Sequence, residues 1–236
     1  MDLSDRLLMH LKLNENTGKR ARCTAGLFTN SEATLSQSVV VEATDKGCAP
    51  RFKNVTTDNI KMLRVPGFDL ETKQMTVSAW AKFASVSNYR YIVSDYNAAA
   101  TQAQYALQLT NTNRMTFFWA NTGTQYPNPF TAAGTTSIVA GKWYHVCGVR
   151  SGATGNWTAK IYVNGVRENS TNTVGAPARI SNVSTSIAIG AAGDYPSGLT
   201  MEGHIMNVMI YERALTDSEI LDLYRNQYNL VNNWGK

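Results

Sequence analysis

The sequence predicts an all-β protein, a two-sheet antiparallel jelly-roll sandwich with one short C-terminal helix. Short segments of alternating apolar and polar residues recur about every ten residues, a pattern typical of sandwiches and barrels. Turn-forming sequences separate these segments, among them Asn164-Gly165, a dipeptide that favours two-residue hairpins. Only one segment, near the C-terminus, has the apolar spacing of an amphipathic helix.

The opening part of the chain contains fewer clear strands than the rest. Residues 7–13 (LLMHLKL) form the first predicted strand, because every odd-numbered position is apolar. Residues 14–57 lack regular alternation except at 38–43, and we interpret them as a loop-rich region that wraps around the sandwich. Residues 60–65 form the next strand, which Pro66-Gly67 ends.

The central and C-terminal parts supply most of the predicted strands. Residues 75–83 (MTVSAWAKF) alternate so that Trp80 lies on the opposite face from Val77, Ala79 and Ala81. The other predicted strands are residues 90–95, 105–110, 115–120, 143–149, 158–163, 186–190 and 204–211.

The predicted helix follows a sequence that is typical of a helix N-terminus. Thr216 and Glu219 have the spacing of a capping box, in which each side chain bonds the backbone N–H of the other residue. Ile220, Leu223 and Tyr224 then form an apolar stripe, which predicts a helix over residues 217–226 that covers an edge or end of the sandwich.

Composition agrees with a single globular domain over residues 1–236. Of the 236 residues, 43% are hydrophobic and 17% are charged, proportions typical of chains that fold. No apolar run approaches the roughly 18 residues that a membrane-spanning helix needs, so no membrane partner is predicted. The net charge of +5 comes from scattered basic residues, whereas nucleic-acid-binding proteins usually concentrate them on one face. We therefore predict no nucleic-acid partner.

The three cysteines do not have the spacing of a disulfide framework or a zinc site. Cys147 lies in an apolar strand and is predicted to be buried. Cys23 and Cys48 are predicted to be free thiols, and a disulfide between them is the alternative in an oxidising compartment. His145, also within a strand, is interpreted as a hydrogen-bonded structural residue rather than a general base.

Five segments carry a resemblance to a known family. They are residues 11–18 (LKLNENTG), 75–80 (MTVSAW), 141–146 (GKWYHV), 161–165 (IYVNG) and the closing stretch 203–220. Together, and in this order, they resemble the laminin-G-like, concanavalin A-like lectin/glucanase jelly-roll family. The resemblance implies the sandwich fold and, because that family is mostly non-enzymatic, binding of glycans or proteins. Met206, Asn207 and Met209 stand where the family has charged residues, so a charge pairing or calcium role is not implied for them.

The sequence lacks the patterns of common catalytic sites. Jelly-roll glycosidases place two carboxylates at alternate strand positions, with a third nearby. The nearest acidic pairs in this chain, Glu42 with Asp45 and Asp69 with Glu71, fall in or beside predicted loops. No nucleophile elbow or phosphate-binding loop is present. We predict that the protein is not an enzyme, and polysaccharide hydrolysis is the less favoured alternative.

Candidate glycan contacts lie on predicted loops at a rim of the sandwich, where aromatic rings and amide or carboxylate groups bind sugars. The alternative for each of these aromatic residues is packing beneath its own loop. The tryptophans of the predicted strands, Trp80, Trp119, Trp143 and Trp157, are predicted to be core residues. The candidate glycan contacts are Tyr96, Asn97, Tyr126, Asn128, Asp194 and Tyr195.

No cofactor is predicted. Calcium occurs in the family that the chain resembles, and it requires several oxygen ligands that converge from loops. Asp95 and Asp194 are available in this sequence, but no run of alternating aspartates supports a calcium site.

The leading hypothesis is a non-catalytic lectin-like binding protein on the surface of a phage virion. As a capsid decoration or tail-associated protein, it would stabilise the particle or contact host glycans, so its partners would be other virion proteins or polysaccharide. The hypothesis depends on the absence of a recognisable secretory signal or attached enzyme module, and on residues 223–228 (LYRNQY), which resemble endings of laminin-G-like proteins of phages and marine bacteria. The alternative is an exported, extracellular bacterial carbohydrate-binding module. Association of several copies of the chain stays open.

Overall fold

A computed structural model describes residues 3–15, 18–97, 102–119, 130–154, 156–168, 186–193 and 199–232. Its strands form two antiparallel sheets, and one helix follows them, which confirms the predicted fold class. The strands are β1 (Leu7–Leu11), β2 (Arg20–Arg22), β3 (Glu32–Leu35), β4 (Val40–Thr44), β5 (Gly47–Lys53), β6 (Ile60–Leu63), β7 (Met75–Phe83), β8 (Arg90–Asn97), β9 (Gln102–Leu109), β10 (Met115–Trp119), β11 (Phe130–Ala133), β12 (Trp143–Ala153), β13 (Asn156–Val163), β14 (Val166–Arg167), β15 (Ser186–Ile189) and β16 (Glu202–Tyr211), and the helix is α1 (Asp217–Asn232).

Each sheet combines strands from distant parts of the sequence. Sheet A has the order β14-β13-β12-β7-β16-β5-β4, and β1 also pairs with β16. Sheet B has the order β11-β10-β9-β8-β15-β6-β3-β2. The run from β8 to β11 is a simple meander, whereas β7 lies between β12 and β16, so the chain crosses repeatedly between the two sheets.

The core lies between the sheets. The odd-numbered residues of β7, from Met75 to Phe83, are all fully buried there, as their alternation predicts. The sheets lie in close contact at Gly148 of β12, where an added Cβ would lie 2.2 Å from Cγ of Phe117 in β10. Glycine at this position therefore lets the two sheets approach each other closely.

Helix α1 covers part of the outer face of sheet A. Ile220 and Leu223 pack there in a second apolar cluster with Cys147, Tyr162 and Tyr211 of the sheet. The predicted capping box is present, because Thr216 N donates to Glu219 Oε2 at 2.8 Å and Glu219 N donates to Thr216 Oγ1 at 3.3 Å. The helix continues to Asn232 rather than ending at Asn226, since no glycine or proline interrupts the intervening residues.

Residues 14–57 contain four strands, which corrects their interpretation as loops. Strands β2 and β3 form the edge of sheet B, and β4 and β5 form an edge of sheet A. Edge strands show weak alternation because several of their positions are exposed to water. In addition, Pro50 within β5 is a residue that usually indicates the end of a strand. Their pairing depends on distant partners, such as β16 for β5, which local patterns do not reveal.

Several other sequence predictions are confirmed. Asn164 and Gly165 have φ values of 51° and 77°, the left-handed conformation that a tight hairpin turn requires. Cys23 and Cys48 are not joined by a disulfide, and Cys147 is fully buried. Among the described residues, no helix has the length and apolarity needed to span a bilayer.

Candidate functional site

The six residues predicted as glycan contacts lie on three connections that the structure describes only in part. Tyr96 and Asn97 are the last two residues of β8. Tyr126, Asn128, Asp194 and Tyr195 lie outside the described residues. Their role in binding therefore stays a prediction.

The ends of β8 and β10 lie at one end of sheet B. Tyr105 of β9 pairs with Asp95 of β8 on one side and with Trp119 of β10 on the other. The chain therefore leaves β8 and β10 at the same end of the sheet. The third connection does not start there, because β15 is antiparallel to β8 and Gly190 N donates to Ile92 O. Its described flanks lie along β8, where Gly193 N donates to Ser94 Oγ at 3.0 Å and Arg90 Nη1 donates to Thr200 O at 3.5 Å.

A buried ion pair lies beneath this end of sheet B. Asp95 is fully buried and its carboxylate accepts a hydrogen bond from the Arg64 guanidinium. Burial, with the nearby charge of Asp95, raises the pKa of Tyr105 well above its usual value. Asp95 is therefore paired with an arginine here, and within the described part of the chain no three His, Cys, Asp or Glu side chains are grouped as metal ligands.

A second candidate site, which sequence reasoning missed, lies on the outer face of sheet A. Trp143 of β12 pairs with Lys82 of β7, and Lys82 also pairs with His204 of β16. His204 in turn pairs with Arg51 of β5. Because directly opposed residues of neighbouring strands project from the same side of a sheet, these four side chains form a row across four strands.

Two carboxylates bridge the members of this row. Asp45, in the turn after β4, accepts hydrogen bonds from Trp143 Nε1 at 3.0 Å and from Lys82 Nζ at 2.9 Å. Glu42 Oε1 of β4 lies 2.8 Å from His204 Nε2 and accepts a hydrogen bond from Arg51 Nη1 at 3.3 Å. We call the six residues Trp143, Lys82, His204, Arg51, Glu42 and Asp45 the Trp143 row.

The protonation states of the row follow from these contacts. Partial burial acts to raise the pKa of Glu42, but its hydrogen bonds with His204 and Arg51 outweigh that effect and lower it. The pKa of Asp45 is lowered in the same way, since bonds from Lys82 and Trp143 outweigh burial. Burial lowers the pKa of His204 more than Glu42 raises it. At neutral pH the row therefore has two ionised carboxylates and a neutral imidazole.

Trp143 is partly exposed, which corrects its assignment to the core. It precedes the inward-facing Tyr144 and so projects from the outer face of the sheet. On the same face, Tyr224 of α1 stacks on Trp80 at 5.7 Å between ring centroids. Trp80, Trp119 and Trp157 are buried, as predicted.

The exposed groups of the row can bind a sugar. Side-chain exposure is 61% for Asp45 and 42% for Glu42. An indole offers a flat face for a sugar ring, and the carboxylates, amine and imidazole offer donors and acceptors for its hydroxyl groups. Glycoside hydrolysis also needs a carboxyl group that stays protonated, whereas Glu42 and Asp45 are both held in the ionised form.

His145 lies beside the row but is not part of it. The residue is fully buried, and its Nε2 lies 2.9 Å from Ser78 Oγ, which confirms a hydrogen-bonded structural role. The sequence signal for the row itself was weak. Lys82 and His204 are polar interruptions in strands that are otherwise almost entirely apolar, and only the register of four separate strands brings them together.

Comparison with known proteins agrees with the fold. A family model described as the concanavalin A-like lectin/glucanases superfamily matches residues 56–221. Among curated protein sequences, none gives a significant match.

Solved structures with the same fold include toxin binding domains. The binding domain of Paraclostridial Mosquitocidal Protein 1 has a TM-score of 0.73 at 14% identity, over 97% of this chain and 54% of that chain. The receptor binding domain of botulinum neurotoxin D has a TM-score of 0.69 at 15% identity, over 96% and 54%. The ligand binding domain of botulinum neurotoxin serotype D in complex with N-acetylneuraminic acid has a TM-score of 0.67 at 14% identity, over 95% and 52%. The chain spans about half the length of these structures, and at such identities the likeness concerns the fold alone.

Proposed function

The chain belongs to the concanavalin A-like lectin/glucanase superfamily, and from that premise we propose that it is a non-catalytic, lectin-like protein that binds carbohydrate through the Trp143 row. The observation that carries the proposal is a partly exposed indole beside two ionised carboxylates on the outer face of sheet A. The toxin binding domains of the same fold, one of them in complex with N-acetylneuraminic acid, are consistent with it.

The contacts of Trp143 favour binding because they hold the ring in place before a ligand arrives. Its Nε1–H is bonded to Asp45, which Lys82 also holds, so rotation of the indole is restricted in the free protein. A side chain that is already ordered loses little conformational entropy when a sugar stacks on it. The row therefore combines a fixed apolar surface with polar groups of both charges.

The proposal assigns binding without bond cleavage. A glycosidase must protonate the leaving oxygen, usually with a carboxylic acid whose pKa is raised above its ordinary value. In the Trp143 row, the pKa of both carboxyl groups is lowered instead. We expect no release of reducing sugar from any glycan that the protein binds.

A glycan array with three proteins tests the proposed function. We expect wild-type protein to bind at least one glycan and Trp143→Ala to lose about tenfold or more of that binding, since buried interface tryptophans are frequent energetic hot spots. Tyr89→Ala is the matched control, because Tyr89 is also a partly exposed aromatic residue but lies on the connection before β8. Equal binding by Trp143→Ala and wild type, or binding to no glycan at all, would contradict the proposal.

The predicted rim residues are a second contact area that the same array can test. We propose that Tyr96, Asn97, Tyr126, Asn128, Asp194 and Tyr195 contribute contacts at the end of sheet B. The position of the ends of β8 and β10 at the same end of sheet B supports this proposal for the first four of these residues. If Tyr126→Ala or Tyr195→Ala abolishes binding and Trp143→Ala does not, glycan recognition belongs to the rim rather than to the Trp143 row.

We further propose a location on a virion surface, as a capsid decoration or tail-associated protein that stabilises the particle or contacts host glycans. The resemblance of residues 223–228 to endings of laminin-G-like proteins of phages and marine bacteria supports this location. Mass spectrometry of purified particles should then detect the protein as a stoichiometric component. Its recovery only from particle-free culture supernatant would favour an exported bacterial carbohydrate-binding module.

A further inference from the structure

A depression of about 450 Å³ lies at the end of sheet A opposite the Trp143 row. Trp143 and Lys82 mark one end of the β12–β7 ladder, and Arg150 and Met75 mark the other. The depression opens beside this second end, where Gln74 precedes β7 and Glu212 follows β16. Its wall includes Arg6, Lys73, Gln74, Trp157, Glu212 and Arg213.

Two exposed cations of this wall share one carboxylate. Glu212 Oε1 lies 3.2 Å from Lys73 Nζ and 3.8 Å from Arg6 Nη1. The side chains of Arg6 and Lys73 are 62% and 47% exposed, so most of their N–H donors face solvent. A single carboxylate cannot satisfy the donors of a guanidinium and an ammonium group together. This pair therefore leaves donors and positive charge available to a ligand.

Arg213 contributes less to this excess. Its Nε donates to the carbonyl oxygen of Asp5 at 3.0 Å, and its Nη1 lies 2.8 Å from Glu219 Oε1. Arg213 therefore lies beside two carboxylates, Glu219 and the more distant Asp5, and these three side chains together add no positive charge to the wall. We do not count it among the groups available to a ligand.

A buried charge behind the wall adds to the positive potential. Arg150 is fully buried, and its guanidinium carbon lies 3.8 Å from the ring centroid of Trp157. Arg150 Nη1 donates to the carbonyl oxygens of Leu70 and Lys73, whereas its Nε and Nη2 have no hydrogen-bond partner among the described residues. Burial lowers the pKa of Arg150 to about 10, so the group stays charged at neutral pH. Low-dielectric surroundings screen such a charge weakly.

We propose that this depression, which we call the basic depression, binds an anionic saccharide whose carboxylate or sulfate accepts hydrogen bonds from Arg6 and Lys73. Charge-assisted bonds of this kind are shorter and stronger than neutral ones. Gln74 shapes the opposite wall, because its Nε2 donates to Gly152 O at 3.1 Å. The basic depression is separate from the Trp143 row and goes beyond the function proposed for that row.

Calorimetric titration with three related sugars tests the basic depression. Lactose carries no acid group, 3′-sialyllactose carries a carboxylate, and 3′-sulfated lactose carries a sulfate. We expect wild-type protein to bind one or both acidic sugars and lactose about tenfold more weakly or not at all. The variant Arg6→Ala/Lys73→Ala should lose about tenfold or more of the binding to the acidic sugars.

The chain offers a matched control for this double variant. Arg20 and Arg22 share Glu32 at 2.7 Å and 3.9 Å, and both are largely exposed. Arg20→Ala/Arg22→Ala therefore removes the same number of exposed cations around one carboxylate, but away from the basic depression, and should bind like wild type. Thermal unfolding of each variant checks that it is folded.

Three results of these experiments would overturn the proposal. The first is equal affinity of wild type for lactose and for both acidic sugars. The second is retention of acidic-sugar binding by Arg6→Ala/Lys73→Ala, and the third is an equal loss of that binding in Arg20→Ala/Arg22→Ala. Titration of the acidic sugars into Trp143→Ala separates the two sites. Retained binding supports the basic depression, whereas loss of binding would assign the acidic sugars to the Trp143 row and overturn this proposal alone.

Discussion

At the scale of single residues, His145 illustrates how the protein buries a titratable group without a charge partner. Its backbone N–H donates to Asn164 Oδ1 at 3.0 Å, its Nε2 lies beside Ser78 Oγ, and its ring contacts those of Trp80 and Tyr224. Burial lowers the pKa of His145 to about 3. The imidazole is therefore neutral in the folded protein at any pH at which the protein is expected to function.

This burial predicts a loss of stability in mild acid. Between pH 6.5 and 3 the unfolded chain binds a proton at His145 and the folded protein does not, so lowering the pH favours unfolding. Between pH 7.5 and 5 the loss from this residue should be about 2 kcal/mol. Urea unfolding at several pH values measures this loss. Between pH 7.5 and 5, the free energy of unfolding of His145→Gln should fall by about 2 kcal/mol less than that of wild type.

The comparison isolates His145 because the other titrating groups are the same in both proteins. The pKa values of His10 and His204 are also lowered by burial, and their contributions cancel in the difference between wild type and variant. Parallel curves of unfolding free energy against pH for wild type and His145→Gln would show that His145 does not titrate as burial requires.

At the scale of secondary-structure elements, local sequence signals succeeded where one strand or helix contains the whole pattern. Strand β7 has the predicted bounds because its alternation is complete within residues 75–83. Strands β2, β3 and β5 were missed, whereas the alternation at residues 38–43 indicated part of β4. Strands β2 and β3 are short, and Pro50 within β5 gives a misleading signal.

The helix cap gives a prediction at this scale. The Thr216 hydroxyl accepts the N–H of Glu219, one of the donors that the first turn of α1 leaves without a backbone partner. Thr216→Ala should lower the free energy of unfolding by about 1 kcal/mol, and Thr216→Ser, which keeps the hydroxyl, should lose much less. Urea unfolding of the two variants measures both values. A Thr216→Ala protein as stable as wild type would mean that the cap does not contribute.

At the scale of the whole molecule, sheet A presents two different surfaces at its two ends. The Trp143 row has an indole and both signs of charge, and the basic depression has two exposed cations around a single carboxylate. Helix α1 covers the sheet between them, where it packs on Cys147, Tyr162 and Tyr211. The two surfaces can therefore be changed separately by mutation without altering the apolar core.

The sequence predicted the sandwich but not the Trp143 row, and the difference has a physical cause. Apolar alternation is a local property that every core strand carries, so the two sheets could be inferred without knowledge of their pairing. The row exists only through the register of β12, β7, β16 and β5, in which Trp143, Lys82 and His204 become neighbours. Trp143 itself was assigned to the core because tryptophans in strands are usually buried.

The most direct test of carbohydrate binding through the Trp143 row is an NMR spectrum of the tryptophan indole N–H groups. The chain has five tryptophans, and Trp143→Phe identifies the Trp143 signal by its disappearance. When the glycan bound most strongly on the array is added, the Trp143 signal should shift, because its N–H is bonded to Asp45 within the row. The signals of the buried Trp80, Trp119 and Trp157 should change little. An unchanged Trp143 signal at saturating glycan would contradict the account.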